Sequence, residues 1–138
     1  HKEDPNAVFN TIPEFGKDVD HKALEEAVNA AIVYFLTSDE TYAQYAADVL
    51  VYYCDRLADK TPQTATIRGE AFWDGRWTFK DIALTYDFVY GYISNETTTV
   101  YDSKTNTRKA VDMARVQKGI TNMVGYSLKE YGAADNHG

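Results

Sequence analysis

The chain has 138 residues, with 14 Lys and Arg against 21 Asp and Glu and a net charge of −7. That length suffices for one domain with a modest core. The acidic balance, with no Lys/Arg-rich run, argues against nucleic acid as a partner, because binding by counterion release needs clustered cations.

No apolar run reaches the ~18 residues of a membrane span. The start, His1-Lys2-Glu3-Asp4-Pro5, is no secretory leader and suits a processed or trimmed terminus. A single cysteine, Cys54, permits no internal disulfide. It falls in an apolar helical stretch, where a free thiol acts as a small hydrophobe. Three scattered His and one Cys give no zinc-like spacing, so neither a metal nor another cofactor is expected. Aromatics are abundant: 11 Tyr, 6 Phe and 2 Trp. Such rings suit a sugar-binding surface, since their faces stack on pyranose C–H groups, and they equally suit helix packing.

Residues 1–19 read as an extended lead-in, with Pro5, Pro13 and Gly16 breaking regular structure among Val8, Phe9, Ile12 and Phe15. The first helix is predicted over 20–37. Leu24, Ala27, Val28, Ala31, Ile32, Phe35 and Leu36 keep the 3, 4, 7 spacing of one buried face. Ser38 is the expected cap of a second helix over 39–59, striped by Tyr42, Tyr45, Ala46, Val49, Leu50, Tyr53 and Leu57. So short a link predicts antiparallel packing, with Tyr34 and Tyr42 across the hairpin.

A long connection, 60–78, carries both Trp, two Arg and two Gly, and long loops in compact domains are often functional. A third helix follows over 79–94, with Ile82, Ala83, Tyr86, Val89, Tyr90 and Ile93 on one side. The polar stretch 95–107 reads as an exposed loop. A fourth helix is predicted over 108–131, lined by Val111, Ala114, Val116, Ile120, Met123, Val124 and Leu128. Gly119 and Gly125 each weaken it by about 1 kcal/mol, which a close neighbour or a bend would justify. No strand pattern and no short repeat is evident, so the expected fold class is all-α, built of antiparallel helical hairpins.

Three segments together resemble the helical domain of alginate lyases and heparinase II/III-like polysaccharide lyases. The first runs Ala30-Ala31-Ile32-Val33-Tyr34-Phe35-Leu36-Thr37-Ser38-Asp39-Glu40-Thr41-Tyr42-Ala43. The second is Trp77-Thr78-Phe79-Lys80-Asp81-Ile82-Ala83-Leu84-Thr85-Tyr86-Asp87, and the third is Asp135-Asn136-His137-Gly138. The resemblance covers roughly residues 20–138. It implies that 1–138 is the N-terminal portion of a partial (α/α) toroid, with a β-sandwich domain and the catalytic tyrosine further along the polypeptide. On that reading the chain is a fragment, or one chain of a nicked enzyme, whose remaining part is its partner.

The implied chemistry is β-elimination on a uronate polymer, alginate first. Charge developing on the C6 carboxylate must be neutralised while C5 loses its proton. Asn136 can donate its amide to that carboxylate, and His137 can share the role or accept the proton. Gly138 allows close backbone approach. Asp135 belongs to the same segment. Arg68 and Arg76 can grip sugar carboxylates as bidentate forks, and Trp73 can stack on a ring. Without the upstream matches, Asp135-Asn136-His137-Gly138 reads as a polar turn after a helix end. Trp77 reads as a core staple, and Tyr86 and Asp87 as structural. An acidic polysaccharide implies a secreted or periplasmic enzyme. Two other readings stand beside this one: a glycoside hydrolase using Asp87 and Asp135, and a non-catalytic helical piece that binds sugar or a partner.

Overall fold

The computed structural model describes residues 21–67, 78–102 and 104–135, with side chains described over 23–67, 78–102 and 104–129. Within them the order is α1 (His21–Thr37), α2 (Glu40–Ala58), α3 (Phe79–Ile93), β1 (Thr99–Asp102), β2 (Thr107–Ala110) and α4 (Met113–Asp135). The lead-in 1–19 and the second half of the long connection lie outside the described residues.

The α1–α2 hairpin forms where the apolar spacing places it, but its turn works differently from the expectation. Ser38 does not cap α2. It takes the left-handed conformation (φ 61°) and its N–H donates to the Tyr34 carbonyl at 2.7 Å, closing the end of α1. Asp39 is the cap: its carboxylate accepts from the Thr41 N–H at 3.0 Å, and its backbone is extended.

Helix α2 is the axis of the domain. Twelve of its nineteen residues are buried, too many for one face, so neighbours must cover it on several sides. Those neighbours are α1, α3, α4 and β1. Ring contacts set the direction of α3. Tyr34 meets Tyr92 edge-on at 5.9 Å, and Phe35 meets Phe88 at 5.2 Å. The C-terminal halves of α1 and α3 are thus side by side, and α3 runs parallel to α1 and antiparallel to α2. Tyr34 therefore packs on α3, not simply across the first hairpin. Burying a residue such as Leu50, Leu57, Ile82 or Val89 contributes about 1.5–3 kcal/mol each.

The stripes extend further in sequence than in burial. Leu24, Ala27 and Ala31 are in the core, whereas Ile32, Phe35 and Leu36 are exposed. On α3 the inward side is Ile82, Thr85, Val89 and Ile93, and Ala83 and Tyr90 face out. On α4, Val116 and Met123 are buried, whereas Val124 and Leu128 are exposed.

Pure α structure is corrected by a β-hairpin within and just after the stretch read as a loop. Thr99 pairs with Ala110 and Asp102 with Thr107 in an antiparallel ladder. Asn106 takes positive φ (58°) in the turn and donates its N–H to the Asp102 carbonyl. Val100 and Tyr101 are buried against the core. Residues 108–110 therefore belong to a strand, and α4 starts at Met113. Asp112 sets that start: its carboxylate accepts from the Arg115 N–H at 3.2 Å and its carbonyl from the Val116 N–H at 3.1 Å.

Both glycines of α4 have the close neighbours their helix cost implied. A Cβ at Gly119 would fall on the Cys54 carbonyl oxygen and 3.0 Å from the Cys54 Cα, and one at Gly125 would lie 2.9 Å from the Pro62 Cβ. Gly119 thus lets α4 touch the backbone of α2. Gly119→Ala is expected to lower stability by about 1–3 kcal/mol through overpacking, despite alanine's better helix propensity. Gly91, on α3, has nothing within 4 Å of an added Cβ, so Gly91→Ala is expected to raise stability by up to about 1 kcal/mol. Urea midpoints of the two variants check this; shifts of the same sign and size would contradict the α2–α4 contact.

Candidate functional site

Arg68, Trp73 and Arg76, with Asn136, His137 and Gly138, lie outside the described residues. Asp135 ends α4, and its backbone alone is described. The structure instead fixes what holds these segments. Ala65 and Ile67, just before residue 68, are fully buried, as is Thr78 just after residue 77. Asn122 of α4 donates its amide to the Leu57 carbonyl at 3.1 Å and the Lys60 carbonyl at 2.9 Å. This ties α4 to the end of α2, where the Leu57 carbonyl also accepts from the Lys60 N–H at 3.1 Å. Phe79, at the start of α3, meets Tyr126 of α4 edge-on, with centroids 6.4 Å apart.

Through α4, the end of α2 and the start of α3 therefore lie at one end of the helical layer. Helix α4 passes over this end. From Tyr126 it runs nine residues further to Asp135, about 14 Å at helical rise.

A second polar assembly was not legible beforehand. Asp48, fully buried in α2, accepts from both Arg108 terminal nitrogens, at 3.2 and 3.1 Å, and from the Tyr101 N–H at 3.0 Å. Arg108 also donates to the Thr99 carbonyl at 2.9 Å. These bonds clamp the β-hairpin onto α2. Burial pushes the Asp48 carboxyl above its ordinary range, against the opposing pull of the Arg108 and Tyr101 hydrogen bonds. An acid in the run Ala46-Ala47-Asp48-Val49-Leu50 was the available signal, since an ion in an apolar stripe calls for a buried partner.

Beside this clamp, Arg115 bonds the Asp55 carboxylate at 2.6 Å, the Asp55 carbonyl at 2.7 Å and the Asp59 carboxylate at 2.9 Å. The Arg115 hydrogen bond holds the Asp59 carboxyl below its usual range. That stabilisation is present above the ordinary carboxylate pKa and fades as pH falls through the lowered one. The exposure of Asp59 keeps it small. Lys104 reaches Asp55 at 3.3 Å and Lys109 reaches Asp102 at 3.1 Å. The cleft between α2 and the hairpin has a volume of about 60 Å³, room for a few waters. Of its cations, Lys109 and Arg115 are engaged by carboxylates, and Arg56 donates to the Tyr52 carbonyl at 3.0 Å and lies over the Tyr52 ring. These ion pairs and hydrogen bonds hold the hairpin and α4 against α2.

Burial raises the Cys54 thiol above its ordinary range, so it stays protonated and inert. Among the described residues, no group of three or more His, Cys, Asp or Glu converges to hold a metal, and no helix is long and apolar enough to cross a membrane.

The whole chain aligns with an endo-acting ulvan lyase from Formosa agariphila, at 41% identity over 150 positions. The chain spans only 18% of that protein's length. No family model matches the chain, and no solved structure matches it. The similarity is thus to part of a polysaccharide lyase. An alginate-lyase or heparinase assignment gains no separate support from it.

Proposed function

We propose that this chain is the helical front portion of a polysaccharide lyase that cuts an acidic polymer by β-elimination, with ulvan ahead of alginate as substrate. The observation that carries the reading is similarity to an ulvan lyase along the entire chain. Its short coverage of that protein supports a longer polypeptide, in which further helical hairpins extend the layer described here toward an (α/α) toroid.

In this reading, Asn136 and His137 face the uronate carboxylate. The Asn136 amide and a donating His137 hydrogen-bond its oxygens as C5 loses its proton and negative charge spreads onto the carboxylate. The C5–H electron pair forms the C4–C5 double bond, and O4 leaves with the cut chain after taking a proton. Arg68 and Arg76 hold flanking carboxylates, Trp73 stacks on a ring, and Asp135 and Gly138 contact the substrate beside the pair. The proton-transferring tyrosine comes from the polypeptide beyond. The contacts of Asn122 and Tyr126 in α4 with the end of α2 and the start of α3 support a cleft on that side. A polymeric substrate places the enzyme outside the cytoplasm, secreted or periplasmic.

The test is an absorbance assay at the far-ultraviolet edge, with the whole polypeptide on ulvan, alginate and a neutral polymer. A rise with ulvan is the expected result. A rise with alginate alone would move the substrate, and none with any acidic polymer would end the reading.

A further inference from the structure

Ile32, Phe35 and Leu36 of α1 are 37%, 64% and 74% exposed, and Leu84 of α3 is 39% exposed. The Phe35–Phe88 ring contact joins the two helices into one surface. These side chains carry no polar group. A sugar platform favours Tyr or Trp, whose rings combine a stacking face with a hydrogen-bonding edge. An apolar patch on two parallel helices instead suits another apolar helix face.

We infer that the α1/α3 face is a seam, covered by a further helical segment of the same longer polypeptide. This rests on the reading of the chain as part of a longer lyase. The argument for that occupant is length: over four-fifths of the relative lies outside the matched region, ample chain to supply the cover. Linkage on one polypeptide also gives a high effective concentration, so no tight separate interface is needed.

Thiol labelling of the full polypeptide tests this, because the native Cys54 is buried and reacts only on unfolding. Leu36→Cys is compared with Lys118→Cys on the exposed side of α4. The expected result is at least a tenfold slower reaction at position 36, unchanged on dilution. Equal rates would overturn the seam. Protection lost on dilution would point to a second copy, and protection lost on deleting residues 1–20 to the lead-in. Protection that arises only with ulvan present would point to the polymer. Each of these overturns the proposal. Should Leu36→Cys fail to fold, hydroxyl-radical footprinting of Phe35 and Phe88 in the unaltered protein reads the same burial, and strong oxidation of both contradicts it. An intact mass of the natural polypeptide matching this segment alone would instead remove the longer-lyase reading.

Discussion

Replacing His137 with Ala in the full polypeptide is expected to reduce ulvan cleavage by a factor of about 10²–10⁴, the range for loss of a positioned acid–base or charge-stabilising group. Asn136→Ala should fall by about 10²–10³, as for removal of one donor to a developing anion. In both variants the loss belongs in kcat more than in KM, because the interaction strengthens as the carboxylate gains charge. Stability should barely change. Steady-state rates and urea curves on the same samples separate the two effects. Full activity in either variant would remove that residue from the proposed mechanism, and equal losses of activity and stability would recast it as a structural turn.

The largest stability effect is expected at Arg108. Its removal leaves the Asp48 carboxylate buried with the Tyr101 N–H as its remaining donor from the hairpin clamp. Breaking a buried pair in this way costs about 3–5 kcal/mol. Arg108 is partly exposed, so the lower end, about 3 kcal/mol, is expected for Arg108→Ala. A double change, Asp48→Leu with Arg108→Met, should recover much of the loss, since no ion is then stranded.

The pH dependence has a definite sign. Asp48 already titrates above its ordinary range, and loss of Arg108 raises it further. The deficit of Arg108→Ala is therefore full above the folded pKa and shrinks as pH falls through it, because the protonated acid is cheaper to bury. Thermal melts across the acid range measure this. A loss below about 1 kcal/mol, or a deficit that grows on acidification, would contradict the clamp.

Helices α1, α2 and α3 were legible to within a residue or so, because each keeps a long 3.6-residue period and ends at a turn residue or cap. The register of burial was less so. Leu36 and Leu128 satisfy the spacing yet point away from the core, since periodicity finds an apolar face without naming what covers it. The hairpin escaped for a different reason. Its strands have four residues each, and Thr107-Arg108-Lys109-Ala110 is mostly polar. What fixes it is tertiary: Val100 in the core and Arg108 on an aspartate sixty positions earlier. Placing 108–110 in a helix followed from reading Val111 as part of the stripe that begins at Met113. Gly119 was readable in kind, as a glycine needing a neighbour, while its partner Cys54 was not. The candidate site was legible only as motifs, Asn136 and His137 above all. Their roles depend on a substrate and on polypeptide that local spacing does not encode.

The most direct measurement is the mass of the products released from ulvan by the full polypeptide. β-Elimination forms a double bond and consumes no water, so each new non-reducing end should be one water lighter than a hydrolysis product. Oligosaccharides of that lighter mass are the predicted result. Products carrying the extra water would contradict the lyase account and favour a glycoside hydrolase on the same helical frame.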